Sequence, residues 1–83
     1  MFKKPYKYLV VCANGSVEIY RTRKEMWDNL VSQLILEATK LGVKDPEYQA
    51  PEKLWYIVLG ARGINKVPRI YNRRLEEITD RLL

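Results

Sequence analysis

The stretch from Thr22 to Gly42 constrains this chain more than any other. Met26, Trp27, Leu30, Val31, Leu34, Ile35, Ala38 and Leu41 recur at three- and four-residue steps, with Asp28, Asn29, Ser32, Gln33, Glu37 and Lys40 between them. That spacing predicts an amphipathic helix with one apolar stripe. Thr22 followed by Glu25 fits a capping box, and Gly42 fits a left-handed residue after the last turn. The stripe needs a partner layer, and the rest of the chain must supply it.

The residues before the helix supply a hairpin. Tyr6 to Ala13 and Ser16 to Arg21 flank Asn14-Gly15, a dipeptide that accepts the positive φ angles of a tight β-turn. A two-residue turn sets Ala13 opposite Ser16 and Cys12 opposite Val17, and so on to Tyr8 opposite Arg21. One face then reads Tyr8, Val10, Cys12, Val17, Ile19 and should take the helix stripe. The other carries Leu9, Val11 and Tyr20 with Lys7, Glu18 and Ser16.

Beyond the helix, Lys44 to Lys53 is polar with Pro46 and Pro51 and reads as a loop. Leu54 to Leu59 is an unbroken apolar run, Leu-Trp-Tyr-Ile-Val-Leu, as in a strand covered on both faces. A right-handed crossover would set it parallel to the second hairpin strand. Asn65 to Tyr71 admits a short edge strand that tolerates Pro68 or a helix opened by Pro68, and the strand is preferred. Asn72 would cap a last helix from Arg73 to Leu82, with Glu76 and Glu77 at its positive end and Arg81 at its negative end. The expectation is one α+β domain spanning residues 1–83, in the order β-β-α-β-(β)-α. Eighty-three residues leave room for one core.

Tyr8 to Ser16 resembles the first strand and turn of the GIY-YIG nucleases, whose opening hairpin also precedes a helix. Glu18-Ile19-Tyr20-Arg21 lacks that family's second-strand glycine, and Arg23 stands too early for its helix arginine. The family's activity is not carried over.

Catalytic chemistry has little to stand on. There is no histidine to activate a hydroxyl, the single Cys12 lies on the expected core face, and the four glycines form no nucleotide-binding pattern. Gly60 to Gly63 reads as an ordinary turn, and Asp45, Glu47 and Glu52 as solvated loop carboxylates. No enzyme activity, cofactor or metal is expected. The apolar run after Lys3, Lys4 and Lys7 is too short for a secretory signal, and polar residues interrupt the helix stripe too often for a membrane span. A cytoplasmic location without membrane association is the default.

Charge carries the functional reading. The net of +5 is laid down in blocks, with residues 1–24 and 60–74 each at +5, the middle at −3 and the last nine residues at −2. Lys3, Lys4, Lys7, Arg21, Arg62, Lys66, Arg69, Arg73 and Arg74, interleaved with Tyr71, match what a phosphate backbone and a stacked base need. The expected function is a small basic module that binds nucleic acid as a homodimer. The alternative is a module or inhibitor that docks a protein partner through an apolar sheet face formed by Leu9, Val11, Tyr20, Trp55 and Ile57.

Overall fold

The computed structural model describes residues 7–83. Its longest element is the helix expected from the sequence, α1 (Arg23–Lys40). Thr22 caps it, with its hydroxyl oxygen accepting from the Glu25 N–H at 3.2 Å. At the other end the Gly42 N–H donates to the Thr39 carbonyl and the Val43 N–H to the Ala38 carbonyl. That pair of bonds requires the left-handed φ of 80° which Gly42 adopts. Met26, Leu30, Leu34 and Ala38 are fully buried. Each of the larger three contributes about 1.5–3 kcal/mol of transfer free energy.

The fold is α+β, with a three-stranded antiparallel sheet and three helices. In chain order the strands and the other α-helices are β1 (Tyr8–Val11), β2 (Val17–Tyr20), α2 (Pro51–Arg62), β3 (Arg69–Tyr71) and α3 (Thr79–Leu82), with short 3-10 turns at Pro46–Tyr48 and Ile64–Lys66 on either side of α2. The sheet order is β2-β1-β3. The strand expected with Pro68 at its margin is therefore present as β3. One cluster of buried residues joins Val10 and Cys12 of the hairpin, the α1 stripe, Leu54, Trp55 and Val58 of α2, and Val67, Ile70 and Ile78.

Three expectations are corrected. Leu54 to Leu59 is helical, not a strand, so no parallel pairing forms. Pro51 opens α2 and Glu52 lies in its first turn, while Arg62 lies in the last and Gly63 ends it, an ordering that favours a helix. Leu54, Trp55 and Val58 point inward while Tyr56 is exposed, as helical spacing requires. The expected Gly60–Gly63 turn is thereby the last turn of this helix.

The hairpin register is shifted by one. Tyr8 pairs with Tyr20, Leu9 with Ile19, Val10 with Glu18 and Val11 with Val17. The loop has three residues, since the Cys12 N–H donates to the Ser16 carbonyl and the Gly15 N–H returns to the Cys12 carbonyl. Gly15 takes a φ of 89°, the bulge residue of a three-residue turn. Gln33 of α1 holds this loop by accepting from the Ala13 N–H at 3.0 Å. A one-residue slip exchanges the faces of a strand. Tyr20 thus joins the core side and Val17 and Ile19 leave it, the reverse of the expected arrangement.

Residues 73–78 form no helix. Asn72 makes the bonds a cap would make, its Oδ1 accepting from the Arg74 and Glu76 N–H groups. The chain nevertheless reverses, with the Leu75 N–H donating to the Asn72 carbonyl and the Asn72 N–H to the Glu76 carbonyl. This is the Cys12–Ser16 loop repeated, with Leu75 at φ 63° in the place of Gly15. The returning chain runs beside β3. The Ile78 N–H donates to the Ile70 carbonyl, and the Ile70 N–H donates to the buried Thr79 Oγ1 at 2.9 Å. Only then does α3 begin.

Candidate functional site

This second hairpin helps to position a concave feature of the surface. The start of β1 brings Lys7 and Tyr8, the first turn of α1 brings Arg23, the turn after β3 brings Asn72, Arg73 and Arg74, and the C-terminal segment brings Ile78, Arg81 and Leu82. Together they line a cleft of about 470 Å3. Five of the described lining residues are cationic. No carboxylate side chain is among the described residues that line it.

Local physics does not favour this clustering. Arg23 occupies the first position of an 18-residue helix, where the macrodipole disfavours a cation. Its charge and the positive helix end therefore add to one potential, and Lys7, Arg73, Arg74 and Arg81 add to it from three other segments. Like charges gathered around a concave surface focus the field outward and raise the local concentration of anions.

Lys7, Arg73 and Arg74 are thus brought together as a sequence reading in terms of nucleic acid would want. Arg23 and Arg81 join them without being among the residues that composition points to, Arg81 lying in the last turn of α3, the one part of the expected Arg73–Leu82 helix that forms. Arg62 and Lys66 lie elsewhere, around a smaller cavity of about 270 Å3 with Lys40, Asn14, Gln33 and the largely buried Glu37. That cavity abuts the β1–β2 loop, at the opposite end of β1 from the basic cleft. Arg21 is exposed just past β2. Lys3 and Lys4 lie outside the described residues.

Arg69 and Tyr71 occupy neither cavity. Both share a sheet face with Leu9 and Val11, their partners across β1 being Val11 and Leu9 respectively. The Arg69 guanidinium lies 5.8 Å from the Tyr71 ring centroid and donates from Nε to Glu77 Oε1 at 3.0 Å, with a second short bond from Nη2. Hydrogen bonding to Glu77 raises the Arg69 pKa further above its ordinary value. This guanidinium is committed to an internal carboxylate.

The remaining interface expectations divide. Leu9 and Val11 are half-buried and, with Val17 and Ile19 at 55% and 54% exposure, form an open apolar sheet face. Tyr20 belongs to the other face, Trp55 is buried, and Ile57 is half-buried on α2. Trp55 donates its indole N–H to the Pro68 carbonyl at 2.9 Å, a tie between α2 and the entry to β3. Val17 and Ile19 enter this face only through the observed register.

Cys12 is buried, with the Gln33 amide 3.3 Å from its sulfur. Asp45, Glu47 and Glu52 do not converge, and among the described residues no group of three or more potential metal ligands occurs. No described helix is long and apolar enough to cross a membrane. Comparison with protein-family models, curated proteins and solved structures finds no match to this chain.

Proposed function

We propose that this chain is a non-enzymatic binding module whose basic cleft takes the phosphate backbone of a nucleic acid. The convergence of Lys7, Arg23, Arg73, Arg74 and Arg81 on one cleft carries this reading. Four separate segments deliver cations to the same place, one of them against a helix dipole. Such a violation of local preference fits a site better than a solvated surface. Guanidinium groups suit phosphate because their planar forks donate two bonds at once.

Binding of a labelled mixed-sequence DNA or RNA at low salt, followed by fluorescence anisotropy, tests the reading. Arg74→Glu with Arg81→Glu should abolish binding. Arg62→Glu with Lys66→Glu, around the other cavity, should weaken it far less. Equal losses from the two pairs would contradict a localised site.

A second reading rests on the exposed Val17 and Ile19 beside Leu9 and Val11. This face would cover itself against the same face of a second copy, because a twofold contact needs only one self-complementary patch. Ile19→Lys would then halve the mass measured by sedimentation. An unchanged mass removes this reading and leaves the cleft unaffected.

A further inference from the structure

We infer that the basic cleft accepts an unpaired nucleotide, with its base inside and its phosphates at the rim, so that single-stranded nucleic acid is preferred over duplex. This inference rests on the nucleic-acid reading of the same cleft and goes beyond it.

Two properties carry it, namely size and mixed chemistry. A duplex offers a convex ribbon of phosphates, which an exposed basic stripe satisfies without a cavity. Here the cations line an open concavity of about 470 Å3, room enough for a group the size of a small organic molecule. Its walls also include Tyr8, Ile78 and Leu82. Tyr8 and Leu82 are only partly buried and pack against the core, while Ile78 belongs to the core itself. One aromatic and two aliphatic side chains serve no purpose for a phosphate, whereas they match the flat apolar surface of a base.

The same geometry implies tolerance of base identity. Asn72 is the one amide side chain among the described lining residues, and both ends of that amide bond within its own turn. Its Oδ1 accepts from Arg74 and Glu76, and its Nδ2 donates to the Glu76 carboxylate at 3.2 Å. Its oxygen is therefore fully used, and the one remaining N–H cannot supply the donor-and-acceptor pair that reads a Watson–Crick edge. Affinity should come from stacking and charge, which every base and every phosphate provides.

The test uses the full chain and three labelled probes at one low salt concentration. They are an oligothymidylate of about 12 nucleotides, within the site sizes of single-strand binders, a duplex of the same length, and an abasic sugar-phosphate strand of the same length. The oligothymidylate should bind at least about fivefold more tightly than either of the others, the lower end of what one stacked base contributes. Tyr8→Leu should erase the advantage over the abasic strand, and Tyr8→Phe should keep it. Should Tyr8→Leu fail to fold, the wild-type comparison of the three probes still decides. Equal affinity for all three probes overturns the base pocket while leaving phosphate binding intact. Binding to none of them overturns both.

Discussion

Thr79→Val isolates one hydrogen bond on which the cleft wall depends. Thr79 is fully buried, and its hydroxyl oxygen accepts from the Ile70 N–H at 2.9 Å. Valine keeps the shape and removes the acceptor, so a buried N–H at the outer edge of β3 is left without a partner. Such a group costs about 1–3 kcal/mol. Thr79→Ser is the control, because it keeps the oxygen and deletes one methyl, at a cost of about 0.8 kcal/mol before any cavity contribution. A domain of this size shifts by roughly 4–8 °C in Tm per kcal/mol. The valine variant should therefore melt about 8–16 °C lower if the cost falls near 2 kcal/mol. Urea titrations should show a lower midpoint at unchanged slope. Hydrogen exchange gives the residue-level answer, with the Ile70 amide losing protection in Thr79→Val and retaining it in Thr79→Ser. Thr79→Val matching or exceeding Thr79→Ser in stability, with the Ile70 amide still protected, would refute the reasoning.

Two other perturbations probe the fold. Leu75 is 59% exposed and sits at φ 63°, a conformation that costs an L-residue about 1–2 kcal/mol. Leu75→Gly should relieve it and, after the entropy that glycine adds to the unfolded chain, stabilise by about 0.5–1 kcal/mol. A lower Tm would show that Leu75 packs more than its exposure implies. Burial, with smaller contributions from Glu18, Cys12 and Glu25, raises the Tyr20 phenol above its ordinary value. The folded state thus favours neutral tyrosine, and that stability is complete below the unfolded value near 10 and lost as pH rises through the higher folded value. Tyr20→Phe should flatten the fall in Tm above about pH 10, and an unchanged profile would remove Tyr20 as a contributor.

The elements most legible in the sequence were those with local signals at both ends. α1 has Thr22, a periodic stripe and Gly42, and the Asn14-Gly15 reversal is equally local. The apolar run from Leu54 to Leu59 is long enough for a buried strand and equally able to wind. Pro51 before it and Gly63 after it are the punctuation that decides for a helix. The register of the first hairpin was not legible, because Asn-Gly serves both a two-residue turn and a three-residue turn with a bulge. Gln33, far away in sequence, holds the loop that is observed. The reversal at Asn72 was hidden for a related reason, since Leu75 occupies a place where glycine is the usual sign.

The candidate site follows the same division. Arg73 and Arg74 stand in an obvious basic block. Arg23 and Arg81 reach the cleft only because the second hairpin folds the C-terminal segment back along β3. A cation at the first position of a long helix was the one local signal for Arg23. Arg69 and Tyr71 looked like ligands by composition alone, and the Glu77 carboxylate that engages Arg69 is reached through that same reversal.

The salt dependence of binding to a single-stranded oligonucleotide tests the central claim most directly. Each phosphate neutralised on a single strand contributes about −0.7 to the slope of log K against log salt, so five cleft cations set a limit near −3.5. Replacing Arg74 and Arg81 with glutamine should reduce that slope to about −2. A slope near zero in the wild type, or one that the double replacement leaves unchanged, would contradict a phosphate-binding cleft built from these residues.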